Sequence, residues 1–248
     1  MRDERVDVTR IAVACRVLGK LDLTREPAGH VSMRVGPDRV LIKSRGADES
    51  GLRFAGDADV VAVDLAGRRL DGGGSAGVPK EVFLHLAVYR ANPGVRGVAH
   101  VHPVTPVLLT ICAVPLLPLI GAYDPLALRL LNRGIPVYPR SVLIATPELG
   151  AQVAEVLGDS AACLLRGHGV TTTGDSPEEA ALNAIKVNEM AELSYRAHLL
   201  GTPQPTDPAD IAAIGEVGAE VRRGHVESAW RYYCRLVGET PVGPAAPR

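Results

Sequence analysis

The sequence predicts a single α/β domain on a mixed, largely antiparallel sheet flanked by helices. Helical and strand patterns alternate along the chain, and several strand patterns stand in closely spaced pairs, the spacing of hairpins. Only Gly201–Pro208 reads as a linker, and no internal repeat is present. The 248 residues, 46% hydrophobic and 22% charged, suffice to bury a sizeable core.

The first segment, Asp3–Leu18, places Val6, Val8, Ile11, Val13, Val17 and Leu18 at a helical period. His30–Val35 and Arg39–Lys43 alternate as strands around Gly36-Pro37-Asp38, which has the chemistry of a hairpin turn. Val60–Leu65 and Gly67–Leu70 form a second strand pair, and Asp71–Gly77 a flexible stretch. Lys80–Asn92 returns to a helical period through Val82, Phe83, Leu86, Val88 and Tyr89, and Pro93-Gly94 ends it before the β-rich run Val95–His102. Further on, Pro147–Leu157 is helical, and Ala161–Leu165 and Val170–Thr173 are strands around the tight turn Gly167-His168-Gly169. Ser176-Pro177-Glu178-Glu179 opens a helix running to about Leu200, with Ser as cap and Pro in the first turn. Ala209–Leu236 reads as one or two helices, and the Pro/Gly-rich tail from Thr240 as frayed.

Composition narrows the function. With 27 Lys+Arg against 28 Asp+Glu and no basic block, nothing marks a nucleic-acid or anionic-membrane surface. The apolar run Val104–Val114 is far short of the roughly 20 residues that span a bilayer, and the charged N-terminus lacks a secretory signal. Cys15, Cys112, Cys163 and Cys234 are widely separated and read as buried thiols of a cytoplasmic protein, not as a disulfide frame or a CxxC zinc site.

The chemistry concentrates in histidines. His100 and His102 stand at i and i+2 in a strand, which turns both imidazoles to one face, a ready chelate for a divalent metal. His168, between two glycines, is a third candidate ligand, and three histidines leave an open position for water or substrate. Taken alone, the HxH pair reads equally well as a structural pair. Glu81 opens a helix, where by position alone it is a capping charge favoured by the helix dipole.

Four pieces in order resemble the class II aldolase/adducin family: Gly29-His30-Val31-Ser32-Met33-Arg34, Pro79-Lys80-Glu81 with His85 four residues on, His100-Val101-His102, and Leu164-Leu165-Arg166-Gly167-His168-Gly169. The resemblance implies a three-layer α/β fold with a central antiparallel sheet. It implies a metal-binding catalytic domain over 1–200, with 201–248 as its C-terminal helical extension. It also implies metal ligation by His100, His102 and His168, with Glu81 as acid/base. Zinc is the metal expected first, with Mn²⁺ or Fe²⁺ also suited to three imidazoles. Members commonly form homotetramers with sites near subunit interfaces. A tyrosine from the C-terminal region reaches a neighbouring site in related aldolases, which nominates Tyr232 or Tyr233. Adducin head domains lack the metal histidines, so a non-catalytic scaffold is the contrasting reading.

The sequence departs from the sugar-phosphate aldolases where they hold phosphate. His30 stands in place of an Asn ahead of Ser32, Arg45-Gly46 replaces a Thr-Gly loop, and Pro79-Lys80 replaces a Ser pair. Groups able to carry positive charge favour a carboxylate-bearing substrate, Arg45 as a bidentate fork and Lys80 as a point charge. That pattern is similar to the branch that decarboxylates hydroxylated aromatic carboxylates such as 3,4-dihydroxyphthalate. Aldol cleavage of a hydroxy-ketone, hydroxy-acid or sugar phosphate is the runner-up, and an iron(II) oxygenase on the same fold a further alternative.

Overall fold

The computed structural model describes residues 4–46, 48–71, 76–132, 134–215 and 219–241. The flexible stretch expected at Asp71–Gly77 falls partly, and the tail expected from Thr240 almost wholly, outside the described residues. The chain begins with α1 (Glu4–Lys20), then β1 (His30–Gly36), β2 (Arg39–Lys43) and β3 (Val60–Val63). There follow α2 (Val82–Ala91), β4 (Gly97–Val101), α3 (Val104–Ile111), α4 (Pro125–Leu131), β5 (Val137–Tyr138) and α5 (Pro147–Leu157). The last elements are β6 (Ala162–Leu165), β7 (Gly169–Gly174), α6 (Pro177–Leu200), α7 (Pro208–Gly215) and α8 (Ala219–Leu236).

The strands form one sheet of order β3-β2-β1-β4-β7-β6-β5, antiparallel except for the β5–β6 pair. Period-2 alternation divides its side chains between two cores. Val31, Met33, Ala99, Val101 and Val170 face a cluster that includes α1, α6 and, from α8, Trp230, Tyr233 and Cys234. Val40, Ile42, Val98, Cys163 and Leu165 face a second cluster made with α2 and α5. The result is the expected three-layer α/β arrangement.

Helix starts follow local rules. α4, α5 and α6 each open with Pro behind a polar cap: Asp124, Thr146 and Ser176 accept the backbone N–H groups of Ala127, Leu149 and Glu179. Three sequence expectations need correction. Gly67–Leu70 is not a strand of the sheet; only Arg69 bridges Val63, because the chain turns tightly at Asp64–Arg68. α3, α4 and β5 were not anticipated; the apolar run Val104–Val114 has no alternation, and its first eight residues form a helix. The expectation of one or two helices over Ala209–Leu236 is met by α7 and α8 and needs no correction. Cys112 is exposed, since it lies at the end of α3, beyond the helix's packed face, whereas Cys15, Cys163 and Cys234 are buried.

Candidate metal centre

The site is assembled by strand register. β4 lies between β1 and β7, and the pairing sets His30 opposite His100 on one side and Thr171 opposite His100 on the other. All three therefore share the face covered by α2. His100 is fully buried, and its Nδ1 lies 3.1 Å from both the Val170 carbonyl oxygen and Thr171 Oγ1. A carbonyl can only accept, so Nδ1 carries the proton and Nε2 is left with a lone pair directed outward from the sheet. That back-bonding is the arrangement of a metal-ligating imidazole.

His102 follows the end of β4, with its Nε2 2.9 Å from Nε2 of His100. His168 arrives from the β6–β7 turn, which the flanking glycines make possible. Gly167 adopts φ +60°, and a Cβ on Gly169 would sit 2.4 Å from the Val101 carbonyl and 2.7 Å from the His102 ring. Nε2 of His168 lies 3.4 Å from Glu81 Oε1, and Nε2 of His100 3.6 Å from Glu81 Oε2. Glu81, His100, His102 and His168 thus each offer a ligand atom, all within 4.8 Å of one another.

Glu81 occupies the N-cap position of α2, yet its side chain makes no cap bond. It turns inward, where Oε1 accepts the Ile144 N–H at 2.9 Å. The capping role that position alone suggested is therefore not the one its geometry serves. Burial works against ionisation of Glu81, but the His100 and His168 imidazoles outweigh it and hold the carboxyl well below the usual range. Burial, reinforced by His100 and His168, pushes His102 down to about 3. Burial, with His85 and His100 next, lowers His30 well below its ordinary value.

The set fits a divalent metal. Metal–nitrogen bonds of about 2.1 Å place neighbouring ligand atoms about 3 to 3.5 Å apart; the separations here, 2.9, 3.4 and 3.6 Å, lie close to that range. A neutral His102 and an ionised Glu81 carboxylate are also protonation states that a metal requires of its ligands. His168 Nδ1 is buried and has no hydrogen-bond partner among the described residues.

The remaining expected residues are arranged around this cluster unevenly. Nε2 of His30 lies 4.0 Å from Glu81 Oε2. Arg45 is half exposed; its Nη1 donates to the Pro27 carbonyl, its Nε is 3.2 Å from Glu49, and its charge is felt at His102. Gly46 and Lys80 are exposed. Ser32 is a correction: it is completely buried, and its hydroxyl is taken up by His85 at 2.6 Å and Tyr89 at 2.9 Å, so it has no direct access to a substrate. Tyr233 is another, for its hydroxyl donates to Glu189 of the same chain, leaving Tyr232 as the exposed member of the pair. Both stand on α8, which packs in the layer opposite the metal cluster.

Comparison with known proteins shows the family. The family described as the class II aldolase and adducin N-terminal domain matches residues 9–195. The chain belongs to the class II aldolase and adducin family. The 3,4-dihydroxyphthalate decarboxylase of Arthrobacter keyseri is 37% identical over 228 residues, covering 90% of both chains. That of Rhodococcus jostii is 35% identical over 240 residues, covering 94% of this chain and 97% of the relative. Among solved structures, the L-fuculose 1-phosphate aldolase of Glaciozyma antarctica superposes with a TM-score of 0.79 over 95% of this chain and 91% of its own, at 18% identity, a likeness of fold. Decarboxylases and aldolases are both carbon–carbon lyases, and this chain is a lyase of that family.

Within this family frame, sequence reasoning missed three contributors. Thr171 was invisible because only β-pairing brings it to His100. Ile144 acts through its backbone, which no side-chain pattern reports. Tyr89 had a usable signal, standing four residues after His85 on the same helix face, but was read only as core.

Proposed function

We propose that this protein is a divalent-metal-dependent decarboxylase of a hydroxylated aromatic carboxylate of the dihydroxyphthalate type. The observation that carries the reading is the convergence of Glu81, His100, His102 and His168 in a chain with whole-length decarboxylase relatives. In this reading His100, His102 and His168 hold the metal, zinc first, with Mn²⁺ or Fe²⁺ as alternatives. When bound, the metal supplies a Lewis acid for the substrate's oxygens and for the negative charge that builds as carbon dioxide leaves.

The chain's own residues do the rest. Glu81, held ionised, takes the proton of a ring hydroxyl. It returns that proton to the ring carbon as the bond to the carboxylate breaks and the bond's electron pair passes to the ring. Arg45, with Gly46 and Lys80 at the rim, and His30 deeper in, engage a second carboxylate and fix the ring's orientation. Residues 201–248 serve as an extension of the same domain. The protein acts in the cytoplasm as a homotetramer with Tyr232 near a neighbouring site.

Elemental analysis coupled to carbon dioxide release from 3,4-dihydroxyphthalate tests this. About one metal per chain with chelator-sensitive release is expected. Metal without release would replace decarboxylation by aldol cleavage, and no metal after reconstitution would make the histidines structural.

A further inference from the structure

A buried run of polar side chains leads away from the metal cluster. His30 Nδ1 lies 3.0 Å from His85 Nε2, His85 Nδ1 2.6 Å from Ser32 Oγ, and Ser32 Oγ 2.9 Å from the Tyr89 hydroxyl. His85, Ser32 and Tyr89 are wholly excluded from solvent, so none of these groups can turn to water for a partner. Each neutral side chain brings a single polar proton to this run. Once the polarity of one bond is set, the others follow.

Both ends of the run select the same polarity. At the inner end, Nε2 of His30 faces the Glu81 carboxylate oxygen at 4.0 Å and, unlike Nε2 of His100, lies outside the ligand set that would take up a lone pair, so a proton there meets an acceptor. At the outer end, the only other acceptor for the Tyr89 proton among the described residues is the Arg96 carbonyl at 3.5 Å, the outer limit of a hydrogen bond, whereas Ser32 is at 2.9 Å. Tyr89 therefore donates to Ser32, Ser32 to His85 Nδ1, and His85 Nε2–H to His30 Nδ1. His30 is left with its proton on Nε2.

We propose that Tyr89, Ser32 and His85 are positioning residues that fix His30 as its Nε2–H tautomer, so that His30 presents one directed N–H to an anionic group of the substrate beside the metal cluster. The recipient, a carboxylate, rests on the function proposed above; the tautomer does not. The arrangement explains why Ser32, two residues from His30 on the same strand face, is buried and yet belongs to the site. It also gives His85 a role that neither metal ligation nor packing supplies.

Neutron diffraction from crystals of the zinc-loaded protein tests the tautomer directly. Deuterium on Nε2 of His30 and Nε2 of His85 is expected; deuterium on Nδ1 of His30, alone or together with Nε2, overturns the proposal. Kinetics on the metal-loaded enzyme give a second reading. Ser32→Ala is expected to lower kcat/KM for 3,4-dihydroxyphthalate about 10- to 100-fold at unchanged metal content, the usual cost of losing an outer partner that orients a histidine. His85→Gln, whose amide can accept from Ser32 and donate to His30, is expected to retain most of the activity that His85→Leu loses. Unchanged kinetics in Ser32→Ala, or equal losses in the two His85 variants, would overturn the role. If the wild type releases no carbon dioxide from this acid, the proposed substrate fails while the neutron result still judges the tautomer.

Discussion

Two groups of histidines meet in this molecule and use their nitrogens in opposite ways. His30 and His100 stack with ring centroids 5.4 Å apart. On one side, His100, His102 and His168 direct Nε2 atoms toward a common point next to the Glu81 carboxylate. On the other, His30 and His85 spend nitrogens on each other and on Ser32. What separates the groups is the company of the remaining ring atoms. Hydrogen bonding behind His100 frees its outer lone pair, whereas hydrogen bonding between His30 and His85 consumes theirs. Identical side chains on neighbouring strands thus offer an open lone pair or join a hydrogen-bonded run according to their second partners.

The strongest way to break this contrast is His100→Ala. Elemental analysis should show loss of bound metal, with turnover at background; full metal stoichiometry would transfer the ligand role elsewhere. Glu81→Gln should retain metal and lower turnover about 10²- to 10⁴-fold, the usual scale for removing a general acid–base. A fully active variant would remove Glu81 from the chemistry. Arg45→Ala should act on binding, raising KM about 10-fold with little change in kcat, as loss of one charge-assisted contact implies. A pure kcat effect would move Arg45 from the rim to the reaction.

The smallest effect concerns stability and separates His85 from the ligands. Burial, aided by His100, lowers the His85 pKa from 6.5 to about 3. Between those values the unfolded chain binds a proton that the folded chain refuses, so stability falls as pH drops from about 6.5 toward 3. In chelator-treated protein, the urea midpoint of His85→Gln should therefore decline less steeply over that window than the wild type's. Parallel declines would mean that His85 is protonated in the fold.

Much of the site was legible in the chain because its signals are local. The HxH spacing, the Gly-His-Gly turn and the Ser-Pro helix start each act within a few residues. Ser32 misled for the same reason. Its place in a motif marked it as part of the site, but its burial beneath α2 depends on a helix some fifty residues away. Tyr233 likewise carried an aromatic signal, while its tie to Glu189 depends on how α8 lies against α6.

The sequence by itself determined the alternation of β1 and β4, so that His30 shares a face with Ser32 and His100 with Val98. It also determined that residue 168 stands in a turn only glycines permit. These follow from backbone geometry that repeats every two residues or is fixed within one turn. Tertiary structure decided that His30 lies opposite His100, that Thr171 and Val170 hold the His100 proton, and that Glu81 turns inward to Ile144 rather than capping its helix. Register between strands about seventy residues apart arises only when both cores are buried together, and it was that pairing that made four scattered side chains into one site.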